Sequence, residues 1–177
     1  TGLGDTLAML GNTYGSEQSV KTTEAIYKTM AQSAYRASCH LAEERGAFDV
    51  YEYEKEANHP FIQRLFESDP ELQVLHQTHG RRNIALTTTA PCGSVSMLTQ
   101  TTSGIEPPFM LKYTRRKKVN PNDPTVTVDF VDDLGDKWQE FTVYHHGFKQ
   151  WMDATGKTEI EDSPYHLATA NEIDWSS

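Results

Sequence analysis

"TTTAPCGSVSMLTQTTSGIEPPFMLKYTRR", residues 87–116, decides how this chain is read. A surface loop does not need so many hydroxyl residues in a row. A core strand does not tolerate them unpaired. The lead-in "RRNIALTTT", residues 81–89, has β-branched and apolar residues after a basic pair and predicts a buried strand. Pro91 sets φ and halts the ladder, and Gly93 allows a turn and a close approach of ligand to backbone. If "SVSMLTQ" opens a helix, its first amides lack intrahelical acceptors and can take a phosphate. Ser94 and Ser96 add hydroxyls. The expected phosphate-binding stretch is therefore Ala90, Pro91, Cys92, Gly93, Ser94, Val95 and Ser96. On residue chemistry alone a plain turn is the more frequent use of such a loop. Further on, Gly104 predicts a tight turn and Pro107–Pro108 a stiff exit. Glu106 between them reads as a capping or salt-bridged carboxylate, since an acid/base role would need a partner.

Whole-chain properties bound the function. The 177 residues carry a formal charge of −9, against a nucleic-acid or anionic-membrane binder. Mean hydropathy is −0.63, polar for a self-sufficient globule. Cys39 and Cys92 are the two cysteines, which excludes a disulfide scaffold and fits a reducing cytoplasm. No run approaches the ~18 apolar residues of a membrane span. The chain opens without Met and stops on "EIDWSS" as a helical pattern gets under way. Both ends read as cuts inside a larger protein.

Outward from the loop, Leu3, Leu7 and Leu10 predict a helix ending at Gly11 and Gly15. Ser16 is a candidate N-cap for a long helix that Gly46 ends, with Val20, Tyr27, Met30, Ala31, Ala34, Leu41 and Ala42 as its packing stripe. Two short helices open at Pro60 and Pro70. His76 and His79, three apart, lack the further ligands of a metal site, so no metal is expected. Residues 114–143 alternate and change charge sign, with Pro121 and Pro124 ahead of "TVTVDF". They predict an exposed β-ribbon turning at Gly135. The basic cluster Arg115–Lys118 reads as a solvated face. "YHHGFKQWMDATG" predicts a short helix, and "SPYHLATANEIDW" another with Ser163 as N-cap and Pro164 at its first position.

"APCGSVSMLTQTTSGIEPPFMLKYTRR" strongly resembles the large catalytic chain of ribonucleotide reductase in its adenosylcobalamin-dependent class II form. Ala90, Pro91, Gly93, Ser94, Ser96, Ser103, Gly104, Ile105, Glu106, Pro107, Phe109, Tyr113 and Arg115 fall in step with the family segment. "GLGDTLAMLG", "LAEERGAF", "RRN" and "SPYHLATANEIDW" are similar to its flanking parts, and residues 117–150 are the least alike. The resemblance implies an α/β fold, part of a ten-stranded α/β barrel, helix-rich here, with a β-ribbon insertion. It divides the chain into a barrel segment at 1–113, the insertion at 114–150 and a return to barrel helices at 151–177. It implies reduction of ribonucleotides, expected as diphosphates, to 2′-deoxyribonucleotides by thiyl-radical chemistry, with adenosylcobalamin as cofactor. The implied partners are the ribonucleotide substrate, the remaining half of the barrel and a dithiol reductant such as thioredoxin. The loop Ala90–Ser96 would bind substrate phosphates.

The family's radical cysteine lies in an Asn-x-Cys-x-Glu segment that this chain lacks, and the redox pair is absent too. No catalytic residue is therefore carried to Cys39 or Cys92, and the chain alone is expected to be inactive. Cys92 stands where the family usually has Thr, a weak thiol donor in place of a hydroxyl. The competing reading is a non-enzymatic helical scaffold or regulatory module whose Ser/Gly loop is only a turn.

Overall fold

The computed structural model describes residues 1–120 and 125–176. Its elements are α1 (Leu3–Met9), α2 (Glu17–Arg45), α3 (Tyr53–Glu56), α4 (Pro60–Ser68), α5 (Pro70–His79), α6 (Gly93–Thr99), β1 (Lys112–Lys118), β2 (Phe130–Val131), β3 (Lys137–Tyr144), α7 (His146–Thr155) and a 3₁₀ turn at Ile160–Asp162. The described chain forms two compact units, Thr1–Ser19 with Pro91–Ser177, and Val20–Ala90. No helix among the described residues is long and apolar enough to cross a membrane.

The Val20–Ala90 unit is helical. Local chemistry starts α2, α4 and α5 where the residues predict. Ser16 Oγ accepts the Ser19 amide at 3.1 Å, capping α2, and Gly46 leaves it with φ +80°. Pro60 and Pro70 open α4 and α5, where a missing N–H loses no intrahelical bond. Asp69 Oδ1 caps α5 by accepting the Leu72 amide at 3.1 Å, and the same carboxylate takes Arg36 Nη2 at 2.6 and 2.8 Å. The core holds Cys39, Ile62, Leu65, Phe66 and Leu72, with Ala31, Tyr35 and Tyr53 packed against it. The α2 stripe read from the sequence is only partly inward. Ala42 is buried and Ala31 packs on the core, but Val20 is 60% and Met30 52% exposed. The inward face of α2 runs instead through Ala31, Tyr35, Ser38, Cys39 and Ala42.

The segment expected as a buried strand at residues 81–89 is not one. Its start is tied to α2: the Arg82 amide donates to the Ser38 carbonyl and the Asn83 amide to Ser38 Oγ, both at 3.0 Å. From Ile84, which is 69% exposed, no ladder forms. A strand needs a neighbouring backbone to satisfy its amides, and no strand pairs with it among the described residues.

The other unit carries the sheet, antiparallel in the order β1-β3-β2. β1 meets β3 from Lys112↔Tyr144 to Lys118↔Trp138, and Gly135 (φ +84°) turns the β2–β3 hairpin. Of "TVTVDF", only Phe130 enters a strand. Pro121 and Pro124 lie outside the described residues. Every residue of β1 is exposed. Arg116 pairs with Glu140 at 2.7 Å and lies over the Phe130 ring, and Lys118 pairs with Asp136. The core here is Ala8, Leu111, Phe148 and Tyr165, flanked by Tyr144, Trp151, Met152 and Ile160. Phe148 is 1% exposed, a burial worth roughly 1.5–3 kcal/mol.

"SPYHLATANEIDW" does not form the expected helix. Ser163 Oγ accepts the Tyr165 amide at 3.2 Å but also donates to the Ile160 carbonyl at 2.7 Å, closing the 3₁₀ turn behind it. Leu167 then takes φ +52°, a left-handed conformation that stops an α-helix. A chain of turns follows, with Ala170 N bonded to the Pro108 carbonyl at 2.9 Å.

Candidate functional site: the loop entering α6 and the Asp5 hub

Pro91 and Cys92 lead into α6, whose first turn is Gly93–Ser96. The Cys92 amide donates to the Ser103 carbonyl at 3.2 Å, which pins the loop to the segment after the helix. The first helical bond runs from the Ser96 amide to the Cys92 carbonyl at 2.8 Å. The amides of Gly93, Ser94 and Val95 precede it and have no acceptor inside the helix. Ser94 and Val95 are exposed. Ser96 is buried, and its hydroxyl donates to the Gly93 carbonyl at 2.8 Å, so it holds the turn. A Cβ built on Gly93 meets nothing within 4 Å, so no packing inside this unit demands glycine there. Thr87–Ala90 are exposed. At the far end Gln100 takes φ +57° and the Thr101 amide closes onto the Ser96 carbonyl at 3.1 Å.

Behind the loop lies a hub that sequence reasoning missed. Asp5, 1% exposed, accepts three hydrogen bonds. Tyr165 Oη donates to Oδ1 at 2.9 Å, and the Thr102 amide to Oδ2 at 2.9 Å. His145 Nε2 stands 2.6 Å from Oδ1. An ionised carboxylate only accepts, so Nε2 carries the proton. Burial pushes the Asp5 carboxyl up, but the His145 hydrogen bond and charge, then Tyr165 and the Thr102 amide, outweigh it and hold it below the usual range. Two glycines permit this packing. A Cβ on Gly4 would meet the Glu106 carbonyl oxygen and Pro107 Cα, each at 2.9 Å, and one on Gly147 would strike Tyr165 Oη and Asp5 Oδ1. The sequence signal was available: Asp5 sits one turn from Ala8 on the buried side of an apolar helix, where a carboxylate must find donors.

Thr102, Glu106, Phe109, Met110, Tyr113 and His145 line a cleft of about 280 Å³ beside that hub. Glu106, read as a capping or salt-bridged carboxylate, has no ion pair among the described residues. Of the two cysteines, Cys39 is fully buried, its thiol pushed up to about 11 chiefly by burial, and Cys92 is half-buried. His76 is enclosed in the helical unit, and His79 is partly exposed. No group of three or more potential metal ligands occurs among the described residues.

The family described as "Ribonucleotide reductase, barrel domain" matches residues 1–175, and the chain belongs to that family. It is 37% identical over 114 residues to a vitamin B12-dependent ribonucleoside-diphosphate reductase of Mycobacterium tuberculosis, covering 64% of this chain and 14% of the relative. It is 27% identical over 180 residues to the protein of the same description in Thermoplasma acidophilum, covering 98% and 20%. It is 28% identical over 122 residues to the ribonucleoside-diphosphate reductase large subunit of Variola virus, covering 65% and 16%. The chain thus spans a small part of each relative's length.

Proposed function

We propose that this chain supplies the substrate-phosphate loop of an adenosylcobalamin-dependent ribonucleoside-diphosphate reductase. The carrying observation is the entry to α6. Gly93, Ser94 and Val95 present amides ahead of the first helical bond, and Gly93 faces open space where a side chain would fit. A glycine that the fold does not need is explained by something outside that must come close to the backbone. Amides and a helix start attract phosphate locally in a chain of net charge −9. The diphosphate and the cobalamin follow from the two relatives named for vitamin B12 dependence.

The cleft beside the loop, about 280 Å³, is sized for a side chain rather than a corrin, and neither thiol stands in the setting of the family's radical cysteine. Removal of the substrate's 3′ hydrogen by a thiyl radical, reduction at the 2′ carbon, and the contacts to the cofactor and to a dithiol reductant such as thioredoxin are in this reading the work of the rest of the full-length protein, in the cytoplasm. Within that protein, Ile84–Thr89 would pair as a strand of the ten-stranded barrel, and residues 114–150 would be an insertion beside it.

The test is turnover of the full-length enzyme on ribonucleoside diphosphates with adenosylcobalamin and a dithiol. Gly93→Val with Ser94→Ala is expected to raise KM chiefly, the sign of lost ground-state binding. An unchanged KM would assign substrate phosphates to another site. Turnover without the cobalamin would move the protein to another reductase class.

A further inference from the structure

We propose that His76, Glu56 and Arg81 form a proton-operated latch on the segment that leaves α5. A proton taken up at His76 draws the Glu56 carboxylate off Arg81, and Arg81 then releases the backbone at Asn83 and Ile84. All the parts lie inside the Val20–Ala90 unit. When closed, the latch works through the fork of Arg81. Nε donates to Glu56 Oε2 at 2.9 Å and Nη2 to Oε1 at 2.5 Å. Nη1 donates to the carbonyls of Asn83 and Ile84. The other edge of the same segment is held by Ser38, whose carbonyl and hydroxyl take the Arg82 and Asn83 amides, both at 3.0 Å. A planar guanidinium serves a carboxylate and two carbonyls at once, which the point charge of a lysine does not.

The place for the proton is His76 Nε2. Tyr51 Oη donates its one hydrogen to the His76 carbonyl at 3.0 Å. Toward Nδ1, 2.9 Å away, it then only accepts, so Nδ1 carries the ring proton and Nε2 is bare. Nε2 is buried with no hydrogen-bond partner and lies 3.5 Å from Glu56 Oε2. Two acceptors thus face each other with no hydrogen between them. No other carboxylate comes within 4 Å of His76 among the described residues. The rings around it are Tyr35 of α2, Tyr51, Tyr53 of α3 and Phe66 of α4. The Cys39 thiol in the adjoining core stays neutral, Arg36 of α2 is taken up by Asp69, and His79 on its own helix faces Glu43. A charged His76 therefore needs Glu56, and meets a second cation there. Like charges around one carboxylate repel. His76 is fully enclosed, whereas Arg81 keeps 11% of its side chain exposed, so Arg81 is the one that yields. With the carbonyl edge free, the segment hangs on Ser38 alone.

Burial keeps the His76 pKa below 6.5, so the latch is closed at neutral pH and opens on acidification. Hydrogen exchange of the full-length protein between pH 7 and pH 5, resolved to single amides and corrected for the intrinsic effect of pH, reads it. Protection of the Arg82 and Asn83 amides should fall at least about tenfold, the loss expected for a hydrogen bond to a charged group, while the α5 amides around Leu75 fall less. His76→Gln keeps a partner for Tyr51 but does not titrate, and should hold the latch closed throughout. Glu56→Gln should leave it open at both ends of the range. If Arg82 and Asn83 lose protection only in step with α5, the helical unit loosens as a whole and the proposal is overturned. Unchanged protection at Arg82 and Asn83, or an equal fall in His76→Gln, overturns it as well. Should His76→Gln not fold, the comparison of the two segments in the wild-type protein still decides.

Discussion

Tyr165 donates its hydroxyl to Asp5 Oδ1 across 2.9 Å, joining residues 160 apart in sequence inside one buried hub. That bond ties α1 to the turns after α7, and the Thr102 amide ties the same carboxylate to the segment after α6. Asp5→Ala would leave three donors buried without an acceptor. The expected loss is about 3–5 kcal/mol, the range for breaking a buried charged pair. Tyr165→Phe removes one donor and should cost less, about 1–2 kcal/mol. Urea unfolding of both variants ranks them.

The same carboxylate gives the protein an acid limit. Folding lowers the Asp5 pKa below its ordinary 3.8, because its three donors outweigh burial. The unfolded chain then binds the proton more readily than the folded one. The stabilisation is complete above the unfolded value and is lost as pH falls through the lower folded value. Unfolding free energy measured from pH 5 down to pH 2 should fall, and Asp5→Asn should flatten that fall while lowering the plateau.

Two glycines should answer alanine in opposite ways. At Gly147 a methyl strikes Tyr165 Oη and Asp5 Oδ1, and overpacking of this kind costs about 1–3 kcal/mol. At Gly93 it meets open space, so stability should stay within about 0.5 kcal/mol. Thermal melts separate the pair. A destabilised Gly93→Ala would mean that the fold, rather than an approaching ligand, requires glycine there.

The contrast shows what the residues disclose before folding. Helix starts were legible because they are local: Ser16, Pro60 and Pro70 act within one turn of themselves. Gly135 and the changing charges likewise announced the β-ribbon. Residues 81–89 misled, since β-branched composition states a preference that only a neighbouring strand can realise. The stripe on α2 misled because Val20 and Met30 sit at the right spacing but face outward. Leu167 broke a well-capped helix through a backbone angle that its side chain does not advertise. The helix entry at Gly93 was legible through its glycine and serine residues, whereas the hub as a whole was not. Asp5, His145 and Tyr165 are far apart in sequence, and only Asp5, on the buried side of α1, carried a signal of its own.

His76 should set a second pH dependence, nearer neutrality. It is fully buried among Tyr35, Tyr51, Tyr53 and Phe66. Tyr51 Oη lies 2.9 Å from its Nδ1, while its Nε2 faces Glu56 at 3.5 Å, too far for a strong bond. Glu56 is meanwhile held by Arg81. Burial therefore prevails over the carboxylate and lowers the His76 pKa below 6.5. The unfolded chain takes up a proton at about pH 6.5 that the folded one refuses, so stability present above that pH is lost as pH falls. His76→Phe should remove this slope between pH 7 and pH 5, at the expense of the Tyr51 bond. Hydrogen exchange of α5 amides across that range measures it, and an unchanged slope would place the titration on another group.

The two thiols should separate under alkylation. Cys39 is fully buried in the helical core and its thiol is pushed up to about 11, chiefly by burial, so little thiolate exists at pH 8. Cys92 is half-buried at the entry to α6. Iodoacetamide should modify Cys92 at least about tenfold faster than Cys39, in keeping with access and thiolate fraction. In the full-length enzyme a ribonucleoside diphosphate should then slow the Cys92 reaction and leave Cys39 unchanged, because a phosphate on the Gly93–Val95 amides covers the neighbouring thiol and repels its thiolate. Peptide mass mapping of the two sites over time gives both rates. If saturating substrate leaves the Cys92 rate untouched, the phosphates do not sit at this helix entry.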